Sequence, residues 1–96
     1  MESIKKFTND INIDTIDALC LNAGIARNTS AKDVLRTTEK FELTIGTNHL
    51  GHFYLVQKLM PLLEKGDGKR IVVTASGGMC IHLLLLLFLR MVLYIL

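Results

Sequence analysis

The chain has 96 residues, a formal net charge of +2 and 50% hydrophobic residues. This length allows one domain at most. The 11 Lys and Arg residues are scattered without forming a basic stripe, which argues against a nucleic-acid partner. Charges occur throughout residues 1–78, whereas residues 81–96 contain one formal charge, Arg90. We therefore predict a folded part at 1–78 and a hydrophobic C-terminal tail at 79–96.

The N-terminal residues and the cysteines indicate the cellular setting. Residues 1–6 contain an early acid and lead to no apolar core, unlike a signal peptide, so an intracellular and reducing setting is expected. Cys20 and Cys80 lie far apart, and each has apolar neighbours. We predict that both are small buried hydrophobic residues rather than a disulfide or a metal-binding pair.

The first predicted elements are a short helix and an apolar strand. Ile4 and Phe7 lie one turn apart with polar residues between them, which predicts an amphipathic helix over residues 2–9. Residues 17–21 are too apolar for an edge strand that faces water, and such runs are typical of parallel sheets covered on both faces. Residues 22–24 end this strand with two small side chains that leave room for a ligand or another backbone, and the glycine there can take a positive φ.

A long helix is predicted over residues 39–65, where apolar residues recur at helical spacing and form a broad face for packing on a sheet. These residues are Leu43, Leu50, Phe53, Val56, Leu59, Met60 and Leu63. Thr37 or Thr38 is suited to the N-cap position, and Glu39 and Glu42 lie where acidic residues favour a helix start.

The residues that follow predict a bent helix end and a second strand. Pro61 removes one backbone hydrogen bond and should bend the last turn, and the glycines within residues 66–68 end the helix. Residues 71–73 are β-branched and predict a strand. Strand, crossover helix and strand make the βαβ unit of a parallel sheet, in which ligands bind beyond the carboxyl ends of the strands. Residues 22–24 and 74–77 occupy those ends.

His49 and His52 lie three residues apart in the predicted helix. A metal site is not predicted, because no Glu lies between them in the metalloprotease arrangement and no third ligand is in view. We expect the two histidines to pack or to cap instead. Gly51, which lies between them, should let the helix approach a neighbouring element closely.

Three motifs in this order resemble the short-chain dehydrogenase/reductase family. Asn22-Ala23-Gly24 after an apolar strand is similar to the family's Asn-Ala-Gly motif. Asn48, within Thr-Asn-His-Leu-Gly-His-Phe, resembles the helix asparagine of the family's catalytic tetrad. Ser76, at the end of Ile-Val-Val-Thr-Ala-Ser, falls where the family places its catalytic serine. The match resembles the retinol dehydrogenase and protochlorophyllide reductase branch in particular.

The resemblance covers residues 4–78 and implies a partial Rossmann-like βαβ piece of a doubly wound α/β sheet. The hydrophobic tail would add a C-terminal helix to it. The resemblance further implies NAD or NADP as the cofactor, a small-molecule substrate with a carbonyl or an activated double bond, and a homodimer through the helix at 39–65. The implied catalytic residues are Asn48 and Ser76. The implied cofactor-binding residues are Asn22, Ala23 and Gly24.

Physical roles explain why these residue types recur in the family. An asparagine that interrupts the helical hydrogen-bond ladder can hold a water and extend a proton-relay chain. A serine hydroxyl at a strand end can donate a hydrogen bond to a substrate carbonyl while negative charge builds on its oxygen during hydride delivery. In the family a tyrosine supplies the proton, and a lysine four residues later lowers the pKa of that tyrosine.

Two family features do not occur in this sequence. The glycine-rich phosphate turn is absent, and 21 residues precede Asn22, too few for two strands and their helices. The tyrosine and lysine pair is also absent, since Tyr94 is the one tyrosine beyond Ser76. We therefore expect a central fragment of a dehydrogenase that is inactive as written. NAD and NADP cannot be distinguished, because the deciding position lies on a strand that is not present.

The tail at 79–96 allows three interpretations. It is long enough for a transmembrane helix only if His82 and Arg90 are included. It could instead adhere to a membrane surface or aggregate. We favour a third interpretation, read-through of an intron or a shifted frame, because the family pattern stops within two residues of Ser76. The alternative function is a small non-enzymatic protein that contacts a membrane through residues 81–96 and retains a βαβ remnant.

Overall fold

The computed structural model describes residues 1–26 and 33–75. The elements in chain order are helix α1 (Glu2–Asp10), strand β1 (Ala18–Leu21), helix α2 (Leu43–Ile45), a π-helical turn (Gly46–Leu50), helix α3 (Gly51–Leu63) and strand β2 (Arg70–Val73). The order of strand, crossover helix and strand confirms the predicted βαβ unit. The helix predicted over residues 2–9 is also confirmed and extends one residue further.

Strands β1 and β2 form a two-stranded parallel sheet. The register pairs Ala18 with Arg70 and Leu21 with Val73. One hydrogen bond extends the pairing at each end, from the Arg70 N–H to the Asp17 carbonyl oxygen and from the Thr74 N–H to the Leu21 carbonyl oxygen, both at 3.1 Å. The carboxyl ends of the two strands therefore lie side by side.

The core lies between the sheet and α3. Its buried hydrophobic residues are Leu21 from β1 and Val56, Leu59 and Leu63 from α3, and Val56 has no exposed surface. The three helix residues recur at intervals of three and four, which places them on one face of α3. Helix α1 packs on α3 rather than on the sheet. A Cβ at Gly51 would lie 3.6 Å from Ile4 Cδ1, so the neighbour that Gly51 approaches is α1 of the same chain.

The opposite face of the sheet is exposed, contrary to the prediction that Cys20 is buried. Cys20 is an exposed free thiol, and its register partner Val72 is 50% exposed. Residues alternate between the two faces of a strand, so Ala18, Cys20, Arg70 and Val72 point away from α3. Among the described residues no helix covers this face, which explains why an apolar strand leaves its thiol in solvent. Cys80 lies outside the described residues.

Residues 66–68 lie in the connection between α3 and β2, and they pack closely against the residues just before β1. A Cβ at Gly66 would lie 2.1 Å from the Ile16 carbonyl oxygen, so only glycine fits there. Asp17 Oδ1 accepts hydrogen bonds from the backbone N–H groups of Asp67 at 2.9 Å and Gly68 at 3.5 Å. The segment therefore does more than end the helix, which already stops at Leu63.

The helix begins four residues later than the predicted residue 39, and neither Thr37 nor Thr38 is its N-cap. The N-cap is Glu42, whose carboxylate accepts from the N–H groups of Thr44 at 3.0 Å and Ile45 at 2.9 Å. Residues 36–42 instead form a tight turn in which Lys40 has a φ of 68°. The long side chain of Glu42 thus binds the free N–H groups of the first turn from the N-cap position, which shorter residues such as Ser, Thr, Asp and Asn usually occupy.

The predicted C-terminal helix at 79–96 lies outside the described residues. Within residues 1–26 and 33–75, no helix has the length and apolar character needed to cross a membrane.

Candidate functional site

Asn48 lies in the middle of the π-helical turn between α2 and α3. At the end of this turn the Gly51 N–H donates to the Gly46 carbonyl oxygen, five residues back instead of four. The helical hydrogen-bond ladder is therefore interrupted at the turn that contains Asn48, as the resemblance to the family implies. Single π turns inside helices occur frequently at functional sites.

Glycines stand at both ends of the wide turn, and the space around them explains their presence. A Cβ at Gly46 would lie 2.6 Å from Thr37 Cγ2 and 3.2 Å from Phe41 Cβ, so the preceding tight turn packs directly on this glycine. A Cβ at Gly51 would lie 3.3 Å from the Gly46 carbonyl oxygen. Small residues thus let the tight turn and the widened ladder fit together around Asn48.

The Asn48 side chain binds the backbone of Ile25, the residue that follows the Asn-Ala-Gly motif. The Ile25 N–H donates to Asn48 Oδ1 at 2.8 Å, and Asn48 Nδ2 donates to the Ile25 carbonyl oxygen at 2.7 Å. The side-chain amide thus pairs with the N–H and the C=O of Ile25 through one donor and one acceptor, as the backbone of a neighbouring strand would. This contact brings Asn48 and the end of β1 together although 23 residues separate them in sequence.

Gly24 lies against the same amide. A Cβ at Gly24 would lie 3.4 Å from Asn48 Oδ1, which is ordinary van der Waals contact. No glycine among the described residues has a positive φ, so the predicted freedom of Gly24 is not used there. Asn22 and Ala23 precede it and are exposed at the carboxyl end of β1. Of the five residues predicted for the site, the structure thus brings Asn48 and the 22–24 segment together.

Ser76 lies outside the described residues. The described chain after β2 ends at Ala75, and the Thr74 N–H is held by the Leu21 carbonyl oxygen one residue before Asn22. The described residues after β2 therefore lie at the carboxyl end of the sheet, next to Asn22.

Sequence reasoning missed Ile25 as a member of the site. Ile25 follows a recognisable motif, but no periodic pattern relates it to a side chain in a distant helix. The one available signal was the amide itself, because an asparagine inside a helix favours partners other than the helix ladder.

His49 and His52 are both half-buried on the helix. The pKa of His52 is lowered, first because burial disfavours the charged imidazolium and second because His49 lies close enough to repel it. Among the described residues no three His, Cys, Asp or Glu side chains are grouped so that they could hold a metal ion.

Comparison with protein families shows to which family this chain belongs. The sequence model of the short chain dehydrogenase family matches residues 1–82. The chain belongs to the short-chain dehydrogenase/reductase family. Members of this family use NAD or NADP on small molecules and have a Rossmann-like α/β fold, so the resemblance inferred from the three motifs is confirmed.

Several curated proteins are similar to this chain. A chloroplastic protochlorophyllide reductase of Cucumis sativus is 36% identical over 80 residues, which are 79% of this chain and 20% of that protein. The corresponding reductase of Chlamydomonas reinhardtii is 38% identical over 72 residues, 73% of this chain and 18% of its own. Human retinol dehydrogenase 14 is 41% identical over 61 residues, 64% of this chain and 17% of its own. No solved structure matches.

The chain spans about a fifth of the length of the relatives it matches. The similarity to the two enzyme types agrees with the branch predicted from the motifs.

Proposed function

We propose that this chain provides the strand–helix–strand part of an NAD(P)-dependent oxidoreductase that acts on a carbonyl or an activated double bond of a small molecule. The observation that carries the proposal is the pair of hydrogen bonds between Asn48 and Ile25 at a π turn. These hydrogen bonds join the helix motif that contains Asn48 to the Asn-Ala-Gly motif, at the carboxyl ends of the strands, where parallel sheets bind their ligands.

In this proposal Asn48 acts through the backbone of its turn. Its side-chain oxygen and nitrogen each hold Ile25, so the amide fixes the turn in place. The widened ladder would let a backbone carbonyl of the turn hold a water for proton relay, which a regular α-helix would not. Ser76 would donate a hydrogen bond to the substrate oxygen, a role supported by its position two residues after Thr74.

The residues at the end of β1 fit one wall of a dinucleotide site. Asn22, Ala23 and Gly24 are exposed, and the last two are small, so a cofactor could approach the backbone there. When bound, the nicotinamide would supply the hydride. We propose that these three residues contact the cofactor. Because the present sequence contains neither a glycine-rich turn nor a Tyr-x-x-x-Lys pair, we further propose that the 96-residue chain alone has no turnover.

A second candidate is a non-enzymatic protein that contacts a membrane. Residues 81–96, with Arg90 as their one formal charge, favour it. A βαβ unit would then serve as a binding or dimerising remnant.

The test begins with the transcript that encodes this chain. We expect it to continue into a glycine-rich turn upstream and a Tyr-x-x-x-Lys pair downstream, and its product to oxidise or reduce retinol- or protochlorophyllide-like substrates with NADP or NAD. Asn48→Ala should lower kcat of that product by about 100-fold or more, which is the range of proton-transfer catalysis. The matched control Asn12→Ala changes an exposed asparagine and should leave kcat unchanged.

Other results would contradict the proposal. An encoded product with all these motifs but without cofactor binding would overturn it. If the transcript encodes only the 96 residues, carbonate-resistant membrane association of the full chain would support the second candidate.

A further inference from the structure

The connection between α3 and β2 contains an aspartate that is followed by a glycine, Asp67-Gly68. Every other aspartate of the sequence precedes a residue that has a side chain. Asp67 is exposed, and the proposed function assigns it no role. Glycine has no side chain to shield its backbone nitrogen from the carboxyl group of the preceding residue. The Asp67 carboxyl group therefore has an unhindered nucleophile next to it in the same chain.

We propose that Asp67-Gly68 is a site of isoaspartate formation and that the Asp17 side chain restrains this reaction in the folded chain. Asp17 Oδ1 accepts hydrogen bonds from the backbone N–H groups of Asp67 at 2.9 Å and Gly68 at 3.5 Å. The second N–H belongs to the nitrogen that must attack the carboxyl group. This bond is the longer and weaker of the two, so the attacking nitrogen is the first to be released when the connection opens.

The reaction is a rearrangement of the backbone through a succinimide. The Gly68 nitrogen attacks the carboxyl carbon of Asp67, a new C–N bond closes a ring, and the carboxyl OH and the N–H proton leave together as water. Water then adds to one of the two ring carbonyl groups and breaks its bond to nitrogen. Addition at the former backbone carbonyl gives isoaspartate, whose side-chain carbon has become part of the backbone, and addition at the other carbonyl restores aspartate.

The close packing of the neighbouring glycines adds to the restraint. A Cβ at Gly68 would lie 2.5 Å from the Asp17 carbonyl oxygen, and a Cβ at Gly66 would lie 2.1 Å from the Ile16 carbonyl oxygen. To close the ring, the Gly68 nitrogen must turn toward the Asp67 carboxyl group and leave the Asp17 carboxylate. Because the backbone on both sides is confined, this movement requires local opening of the connection.

The product would not fit the connection in its present form. An isoaspartyl bond adds one carbon atom to the backbone between Gly66 and Gly68, and both glycines already lie against the backbone of residues 16–17. The Asp17 carbonyl oxygen also accepts from the Arg70 N–H at 3.1 Å, so a shift of Gly68 would disturb the first residue of β2. We therefore expect the modified chain to unfold at a lower denaturant concentration than the unmodified chain.

The test follows isoaspartate at position 67 while the full chain is aged in neutral buffer. A protease that cleaves after glutamate then releases the peptide that follows Glu64, and enzymatic methylation of the isoaspartyl carboxyl group with a labelled methyl donor detects the product. The reference is the same chain aged in guanidinium chloride. We expect isoaspartate to form about tenfold faster in the unfolded chain, because only opened molecules of the folded chain react.

Two variants of Asp17 identify the restraint. Asp17→Ala removes the acceptor, and we expect the rate in the folded chain to rise about fivefold toward the rate of the unfolded chain. Asp17→Asn keeps an acceptor oxygen, so its rate should stay near that of the native chain. Asp14→Ala changes a nearby exposed aspartate and is the control that should leave the rate unchanged.

Several results would overturn the proposal. The absence of isoaspartate at position 67 in guanidinium chloride would exclude the site, and equal rates in the folded and unfolded chains would exclude a restraint. An unchanged rate in folded Asp17→Ala would show that Asp17 is not the restraint, and a slower rate would make Asp17 a base that promotes the reaction. If Asp17→Ala does not fold, hydrogen exchange of the Gly68 N–H in the native chain decides: slowed exchange supports the restraint, and exchange as fast as in the unfolded chain contradicts it.

Discussion

Asn48 and Ile25 are joined by two hydrogen bonds that connect the π turn near the start of the crossover helix to the segment that follows the first strand. An asparagine at this point of a helix would ordinarily be unfavourable, because its amide competes with the ladder. Here the ladder is already widened to a π turn, and the amide binds the Ile25 backbone with one donor and one acceptor. The same residue thus stabilises the loop after β1 and marks the break in the helix.

Replacing Asn48 should loosen the loop that carries the Asn-Ala-Gly motif. Asn48→Ala removes both hydrogen bonds to Ile25 and should lower the free energy of unfolding by about 1–2 kcal/mol, because each bond contributes modestly near solvent. Amide hydrogen exchange at Ile25 should become faster, since its N–H loses its acceptor. Asn48→Asp should also be destabilising, because a carboxylate repels the Ile25 carbonyl oxygen that the amide nitrogen now binds. Asn12→Ala is the matched control, and an unchanged exchange rate at Ile25 in Asn48→Ala would contradict the structure.

Gly66 should tolerate no side chain. Gly66→Ala would place a methyl group 2.1 Å from the Ile16 carbonyl oxygen, and backbone on both sides must move to relieve this overlap. We expect a loss of about 3 kcal/mol in the free energy of unfolding, at the upper end for overpacking. Gly24→Ala is the control, since its methyl group would make ordinary contact at 3.4 Å with Asn48 Oδ1. Denaturant titration of the full chain measures the unfolding midpoints of both variants. Equal midpoints for Gly66→Ala and Gly24→Ala would show that a side chain at position 66 does not overlap the Ile16 carbonyl group.

Glu42 should set where the crossover helix begins. Glu42→Ala removes the acceptor for the N–H groups of Thr44 and Ile45, and loss of an N-cap costs about 1 kcal/mol. Glu64→Ala changes an exposed glutamate at the other end of the helix, where a negative charge opposes the helix dipole, and it should be neutral or slightly stabilising. Thermal unfolding of the two variants separates these effects. If Glu64→Ala lowered the melting temperature and Glu42→Ala did not, the result would contradict the role of Glu42 as the N-cap.

The strands and their order could be predicted from the sequence because they depend on local patterns. The β-branched residues of β2 and the apolar run of β1 placed both strands within one residue of their observed bounds. The interruption at Asn48 was implied by the resemblance of its motif to the family, whereas the apolar spacing predicted one continuous helix. Both kinds of signal are contained in a few neighbouring residues, so no knowledge of the packing was needed.

The helix start, the burial of Cys20 and the partner of Asn48 depend on contacts between distant residues. Thr37 looked like an N-cap, but its methyl group packs on Gly46 and the chain turns once more before Glu42. Cys20 looked buried because its neighbours are apolar, but it lies on the face of the sheet that the described chain does not cover. Ile25 and Asn48 are 23 residues apart in sequence, and the fold brings them together. No sequence period reports such contacts.

The lowered pKa of His52 should make the fold sensitive to acid. Burial and the nearby His49 disfavour the charged form in the folded state, whereas the unfolded chain titrates near pH 6.5. The unfolded state therefore binds more protons in this range. The free energy of unfolding should fall as the pH drops from about 6.5 through the lower folded-state pKa, and it should not change from this cause at pH values well above 6.5. His52→Gln should remove this acid-side loss. His49→Gln should raise the pKa of His52 without restoring it fully, because burial remains the larger cause. NMR titration of the His52 imidazole in the full chain gives the midpoint directly, and a value at or above 6.5 would contradict the burial of this side chain.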